Sequence, residues 1–141
     1  MNSNKLLDIA EYIIQKLLDN DIVIQRYDSM STSSIYLKLD YGVCNSIRIS
    51  NHTGKKYLKY RYNLILDCEP HTAMDGYVRH YFNQNNIDDM LALILKDRKD
   101  KITKYGYSNY KDFMKKNQHE HKVDKQGFWR TARLIHKRGV L

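Results

Sequence analysis

Long apolar runs are missing from this 141-residue chain. No stretch approaches the roughly 18 consecutive apolar residues of a membrane span. The N-terminal apolar run is broken by Asp8 and Glu11, and no cleavage-site pattern follows, so a secretory leader is not expected. Proline occurs once and glycine six times, too few for a linker-rich or low-complexity chain. The two cysteines, Cys44 and Cys68, are too few for a disulfide framework. They read as free thiols of a cytosolic protein, although a bridge between them stays open. No CxxC or HxxxH pair is present, and Cys44, Cys68 and His71 make a poor zinc set. No metal or other cofactor is expected. Also missing are GxSxG, a glycine-rich phosphate loop, HExxH and any motif-placed carboxylate pair. Binding without catalysis is therefore the expectation.

Tyrosine and positive charge are abundant. Twelve tyrosines stand against three Phe and one Trp, which favours rings that keep a polar tip at sheet faces and interfaces. The net charge of +8 is unevenly spread. Residues 1–76 balance 9 Lys+Arg with 9 Asp+Glu, whereas residues 77–141 hold 15 and 7. A basic half points to a polyanionic partner, and the bland alternative is a solvated, soluble helical surface.

The length suits one domain, residues 1–141, with a neutral helix-plus-sheet part over 1–76 and a basic helical part over 77–141. Residues 4–19 carry Leu6, Leu7, Ala10, Ile13, Ile14, Leu17 and Leu18 at helical spacing. Ile22–Tyr27 and Ile35–Leu39 read as strands. The hydroxyl-rich loop 28–33 between them reads as a surface turn, or else as a phosphate holder. Ile47–Leu66 reads as two strands joined by a basic turn at Asn51-His52-Thr53-Gly54. Together these give an α+β fold: an N-terminal helix, a four-stranded antiparallel meander and C-terminal helices. Residues 77–82 are either a helical turn or an added strand. Residues 86–105 form a helix capped by Asn86. A short helical segment starts at Ser108 with Tyr110, Phe113 and Met114 inward. Residues 115–125, with His119-Glu120-His121, read as a linker. A last helix from Asp124 places Phe128, Trp129, Ala132 and Ile135 on one stripe and Arg130 and Arg133 on a basic one.

Two surfaces are candidates for anion binding. In the hairpin, Arg48, Lys59 and Arg61 are expected on the outer face of the sheet, with His52 in the turn. Arg forks match phosphate oxygens and tyrosine rings stack on bases. The bland reading is a solvated strand face with a charged turn that discourages edge pairing. In the last helix, Arg130 and Arg133 are the candidates, and a dimer contact is the competing reading.

The stretch from Ser33 through Asn63 resembles a pattern of small phage proteins, over about a fifth of the chain. In that pattern a Ser-rich strand start, here STSSIYLKL, precedes a strand ending Arg-Ile-Ser-Asp-His. A Gly-Lys turn and a Tyr-rich basic strand follow, here GKKYLKYRYN. Asn51 replaces the usual Asp, so no role can rest on that carboxylate. Within this class the chain resembles the anti-Thoeris sponges, which bind cyclic ADP-ribose immune signals without cleaving them. The resemblance implies a homo-oligomer acting in the cytoplasm of the host bacterium, with a cyclic nucleotide as partner. Its ligand-contacting residues do not map one by one onto this sequence. The alternatives are an anti-CRISPR protein that binds a Cas protein or guide RNA, and a basic nucleic-acid-binding accessory protein.

Overall fold

A computed structural model describes residues 2–29, 33–52, 60–74, 76–123 and 132–136. It is α+β, but its sheet has seven strands of mixed direction instead of four in an antiparallel meander. Helix α1 (Asn2–Leu18) is followed by β1 (Ile24–Ser29), β2 (Ser34–Leu39), β3 (Ser46–Ser50), β4 (Tyr62–Ile65), β5 (His71–Met74) and β6 (Val78–Phe82). Helices α2 (Ile87–Tyr105) and α3 (Tyr107–Val123) come next, and β7 (Arg133–Ile135) closes the described chain. The strand order is β5-β6-β4-β3-β2-β1-β7. No described helix is long and apolar enough to cross a membrane.

The expected hairpin at 47–66 is not formed. β3 and β4 are neighbours, but they run parallel, with Ile47 opposite Tyr62 and Ile49 opposite Leu64. Parallel neighbours need a connection that returns to the starting end, which a tight turn cannot supply. The turn signal at Asn51–Gly54 therefore opens a longer crossing, of which residues 53–59 lie outside the described residues. All four residues of β4 are buried, as is usual for a parallel strand inside a sheet. β6 also runs parallel to β4, and β5 is folded antiparallel onto the outer edge of β6.

One sheet face is apolar. The register lines up Leu37, Ile47, Tyr62 and His80 across β2, β3, β4 and β6, and Ile35, Ile49, Leu64 and Phe82 in the next row. Onto this face pack Leu6, Ala10, Ile13, Ile14 and Leu17 of α1 and Met90, Leu91 and Ile94 of α2. Each fully buried Leu or Ile contributes about 1.5–3 kcal/mol relative to exposure. Asn86 stands at the N-cap of α2 without a side-chain cap bond. Its Oδ1 instead accepts from Asn83 N at 2.7 Å, while Asn83 Oδ1 accepts from Asn85 N at 2.8 Å.

Two further expectations fail in the C-terminal part. Residues 115–123 continue α3 and are not a linker. Arg133–Ile135 is a strand and not part of a helix: Ile24, Gln25 and Arg26 of β1 pair antiparallel with Ile135, Leu134 and Arg133. β1 would otherwise leave an unpaired edge, and filling it outweighs the helical spacing of a short segment. Residues 124–131, where the helix was expected to start, lie outside the described residues. Of the segment 77–82, Val78–Phe82 forms strand β6.

Candidate functional site: the polar face of the sheet

The opposite sheet face is polar and yet largely buried. Tyr27, Tyr36, Arg48, Asn63 and Tyr81 stand side by side on β1, β2, β3, β4 and β6, and His71 of β5 ends the row. Ser34 and Ser50 flank this row on β2 and β3. Ser34, Tyr36, Arg48, Ser50 and Asn63 are all buried. Sequence alternation alone marks these positions as outward, because polar residues alternate with apolar ones. The structure makes the outward face a second buried layer.

Arg48 is the centre of this layer, only 1% exposed. One guanidinium nitrogen donates to the His52 carbonyl oxygen at 3.3 Å, and the other meets His52 Nδ1 at 3.2 Å. Ser50 Oγ donates to the same carbonyl at 2.8 Å. Arg48 thus holds the chain where it leaves β3. Asn63 Nδ2 donates to the Tyr60 carbonyl at 2.8 Å and so fixes the approach to β4.

The tyrosines form a ladder beside Arg48. The Tyr27 and Tyr36 ring centroids lie 6.3 Å apart, and those of Tyr36 and Tyr60 lie 5.0 Å apart. Burial, with a lesser contribution from Tyr36, pushes the Tyr60 phenol up to about 12. The Tyr60 hydroxyl is therefore a neutral donor at neutral pH. At the far end of the row, His71 and Tyr81 stack 4.3 Å apart and nearly parallel, at 6°.

Of the sequence-derived site residues that the structure describes, only two are shown in contact. Arg48 and His52 touch each other. Arg61 instead reaches Asp97 of α2, Nε to Oδ2 at 3.3 Å, and shares that carboxylate with the Tyr62 hydroxyl at 2.6 Å. Beside it, burial and then the Arg61 charge lower the pKa of His80. Arg133 sits opposite Arg26 on β1. That register places it on the apolar face, across the sheet from Arg48. The Arg26 charge is met by Asp28 at 2.7 Å. Lys59 and Arg130 lie outside the described residues, as do positions 30–32 of the hydroxyl-rich loop.

Asp40, not singled out by its sequence context, is a fully buried carboxylate met by several donors. It opens a turn in which Asp40, Tyr41 and Gly42 all take left-handed backbone angles, with φ of 49°, 55° and 90°. Its carboxylate accepts from Val23 N at 2.9 Å, from Arg98 Nε at 2.6 Å and from the Tyr110 hydroxyl. These bonds tie α2 and α3 to the sheet. Burial, then the bond to Asp40, push the Tyr110 phenol above its ordinary range.

Among the described residues, the sheet face offers hydroxyls, amides, rings and the cations Lys38, Arg48 and Arg79. The buried Cys44 thiol belongs to the opposite core, and burial pushes it up to about 12, so it is neutral and unreactive at neutral pH. Among the described residues no group of three His, Cys, Asp or Glu side chains is placed to hold a metal ion. His119 and His121 fall on α3. Comparison with protein-family models, curated proteins and solved structures returns no match.

Proposed function

We propose that this chain is a non-catalytic phage anti-defence protein that sequesters a phosphate-bearing cyclic nucleotide signal of the cyclic ADP-ribose type. The observation that carries the reading is the ladder of Tyr27, Tyr36 and Tyr60 beside buried Arg48. Aromatic rings accept bases of any identity, at about 1–3 kcal/mol per stacked base. A guanidinium fork matches phosphate oxygens in geometry and charge. At the His52 rim, a phosphate takes over the Arg48 fork from a neutral carbonyl and an imidazole nitrogen. That exchange gives the guanidinium an ionised acceptor in place of neutral ones. The resemblance of Arg48–His52 and the following basic segment to the sponge pattern supports the same assignment. Association into a homo-oligomer in the host cytoplasm is part of it.

Native mass spectrometry with cyclic ADP-ribose isomers tests the proposal. A defined stoichiometric adduct is expected, released intact by heat and lost in Tyr36→Leu and Arg48→Lys proteins that remain folded. The proposal fails if no isomer binds, or if the bound nucleotide is returned cleaved.

A further inference from the structure

A second surface, remote from Arg48, lies on the hairpin of α2 and α3. Between Lys96 and Asn117 the acids are Asp97, Asp100 and Asp112. Asp97 is engaged by Tyr62 and Arg61, and Asp100 by Lys96 at 2.7 Å. Arg98 is taken by Asp40. That leaves Lys99, Lys101, Lys104, Lys111, Lys115 and Lys116 against Asp112. The positive charge of this lobe is thus not neutralised from within.

Large rings stand exposed among these lysines: Tyr105 at 39%, Tyr107 at 55% and Phe113 at 38%. Tyr105 and Phe113 meet edge to face, 5.4 Å apart at 86°. Lys104 lies 5.1 Å from the centre of the Tyr105 ring, and Lys111 lies 4.8 Å from that of Tyr107. A groove of about 370 Å³ runs beside this pair, lined by Lys101, Tyr105, Phe113, Lys116 and Asn117 over the Gly42–Val43 turn. Its floor is fixed. Lys101 Nζ donates to the Val43 carbonyl at 3.0 Å, and Asn117 Nδ2 donates to the Tyr41 carbonyl at 2.9 Å.

We infer that this hairpin is a docking surface for single-stranded nucleic acid. Exposed rings interleaved with uncompensated lysines supply the two things a single strand offers partners for: unpaired base faces and a line of phosphates. A duplex hides its base faces, so it leaves the rings unused. A free mononucleotide fills only the groove, whereas the patch continues past it to Tyr107 and Lys111. The Lys101 and Lys116 ammonium groups take phosphate, and the Tyr105–Phe113 pair takes a base. Nothing in this surface depends on Arg48 or on the tyrosine ladder, so it stands or falls apart from nucleotide sequestration.

Fluorescence anisotropy of a labelled oligothymidylate with the whole protein tests the inference. Binding is expected to weaken tenfold or more between about 50 and about 200 mM salt. It should also fall tenfold or more in Lys111→Glu/Lys116→Glu, two exposed positions whose exchange leaves the melting temperature unchanged. Phe113→Ala, or Tyr107→Ala alone, should weaken binding severalfold, while Tyr36→Leu leaves it unaltered. Absence of oligonucleotide binding overturns the inference. So does equal affinity for duplex or mononucleotide, or indifference to the lysine exchanges. Loss of binding in Tyr36→Leu overturns the placement on the hairpin.

Discussion

Arg98 Nε lies 2.6 Å from Oδ2 of Asp40, a carboxylate with no exposed surface. The pair joins the middle of α2 to a left-handed turn that follows β2, and Tyr110 brings α3 to the same oxygen. Removing one partner of a buried ion pair leaves the other charge stranded, at a cost of about 3–5 kcal/mol. Arg98→Ala and Asp40→Ala should both unfold at much lower urea concentration than the parent. Tyr110→Phe deletes a single hydroxyl and should cost about 1–2 kcal/mol. Equal midpoints for Arg98→Ala and the parent would show that the pair contributes nothing.

Arg48 behaves differently from what a solvated strand face implies. Since it is buried and bonded to His52, Arg48→Ala should lose about 2–3 kcal/mol of stability as well as ligand affinity. His52→Ala keeps the backbone carbonyl and loses only the imidazole contact, so its loss should stay below about 1 kcal/mol. Urea titrations of the two proteins, read side by side, check this order. The reverse ranking would mean that the imidazole anchors the arginine.

Alkaline pH should weaken the fold. The Cys44 thiol and the Tyr60 phenol are pushed up to about 12, from ordinary values of 9.0 and 10.0. The Tyr62 and Tyr110 phenols are also raised, by burial and then by their bonds to Asp97 and Asp40. A group whose proton is held more tightly when folded contributes stability that is complete below its unfolded value. That contribution disappears as pH climbs through the folded value. Urea midpoints should therefore hold steady up to about pH 9 and fall from there toward pH 12. Tyr60→Phe should flatten part of the decline, and a flat profile across this range would contradict the burial of these groups.

β7 offers a local test. Leu134 pairs with Gln25 in the middle of the β1–β7 ladder. Leu134→Pro removes a backbone donor and should raise amide exchange across Ile24–Arg26 while leaving β4 protected. Unchanged exchange at β1 would indicate that this edge is not paired in solution.

Local periodicity made α1, β1, β2 and α2 readable, since each buries its own stripe or alternation. The direction of β4 was not readable. Whether Tyr62–Ile65 returns antiparallel or crosses over to run parallel depends on which strands flank it, and β6 comes only after β5. The fully apolar Leu64-Ile65-Leu66 run was the available signal that β4 sits inside the sheet. α3 was cut short because Tyr110 and Met114 are its chief inward anchors, so the helical period thins out after them. At the candidate site, the sequence singled out Arg48 and His52, which stand in contact, but burial of their face was not readable. Arg61 and Arg133 share the composition of a phosphate site, yet register turns one toward Asp97 and the other across the sheet.

The pairing of Ile24 with Ile135 sets a schedule for biosynthesis. As the chain leaves the ribosome, β1 and β2 can pair at once, but the outer edge of β1 stays bare until Arg133–Ile135 has been made. Throughout that interval the nascent sheet presents a strand edge able to recruit a neighbouring chain. Early chaperone cover or rapid completion of translation would shorten that exposure, a demand that the finished fold no longer shows.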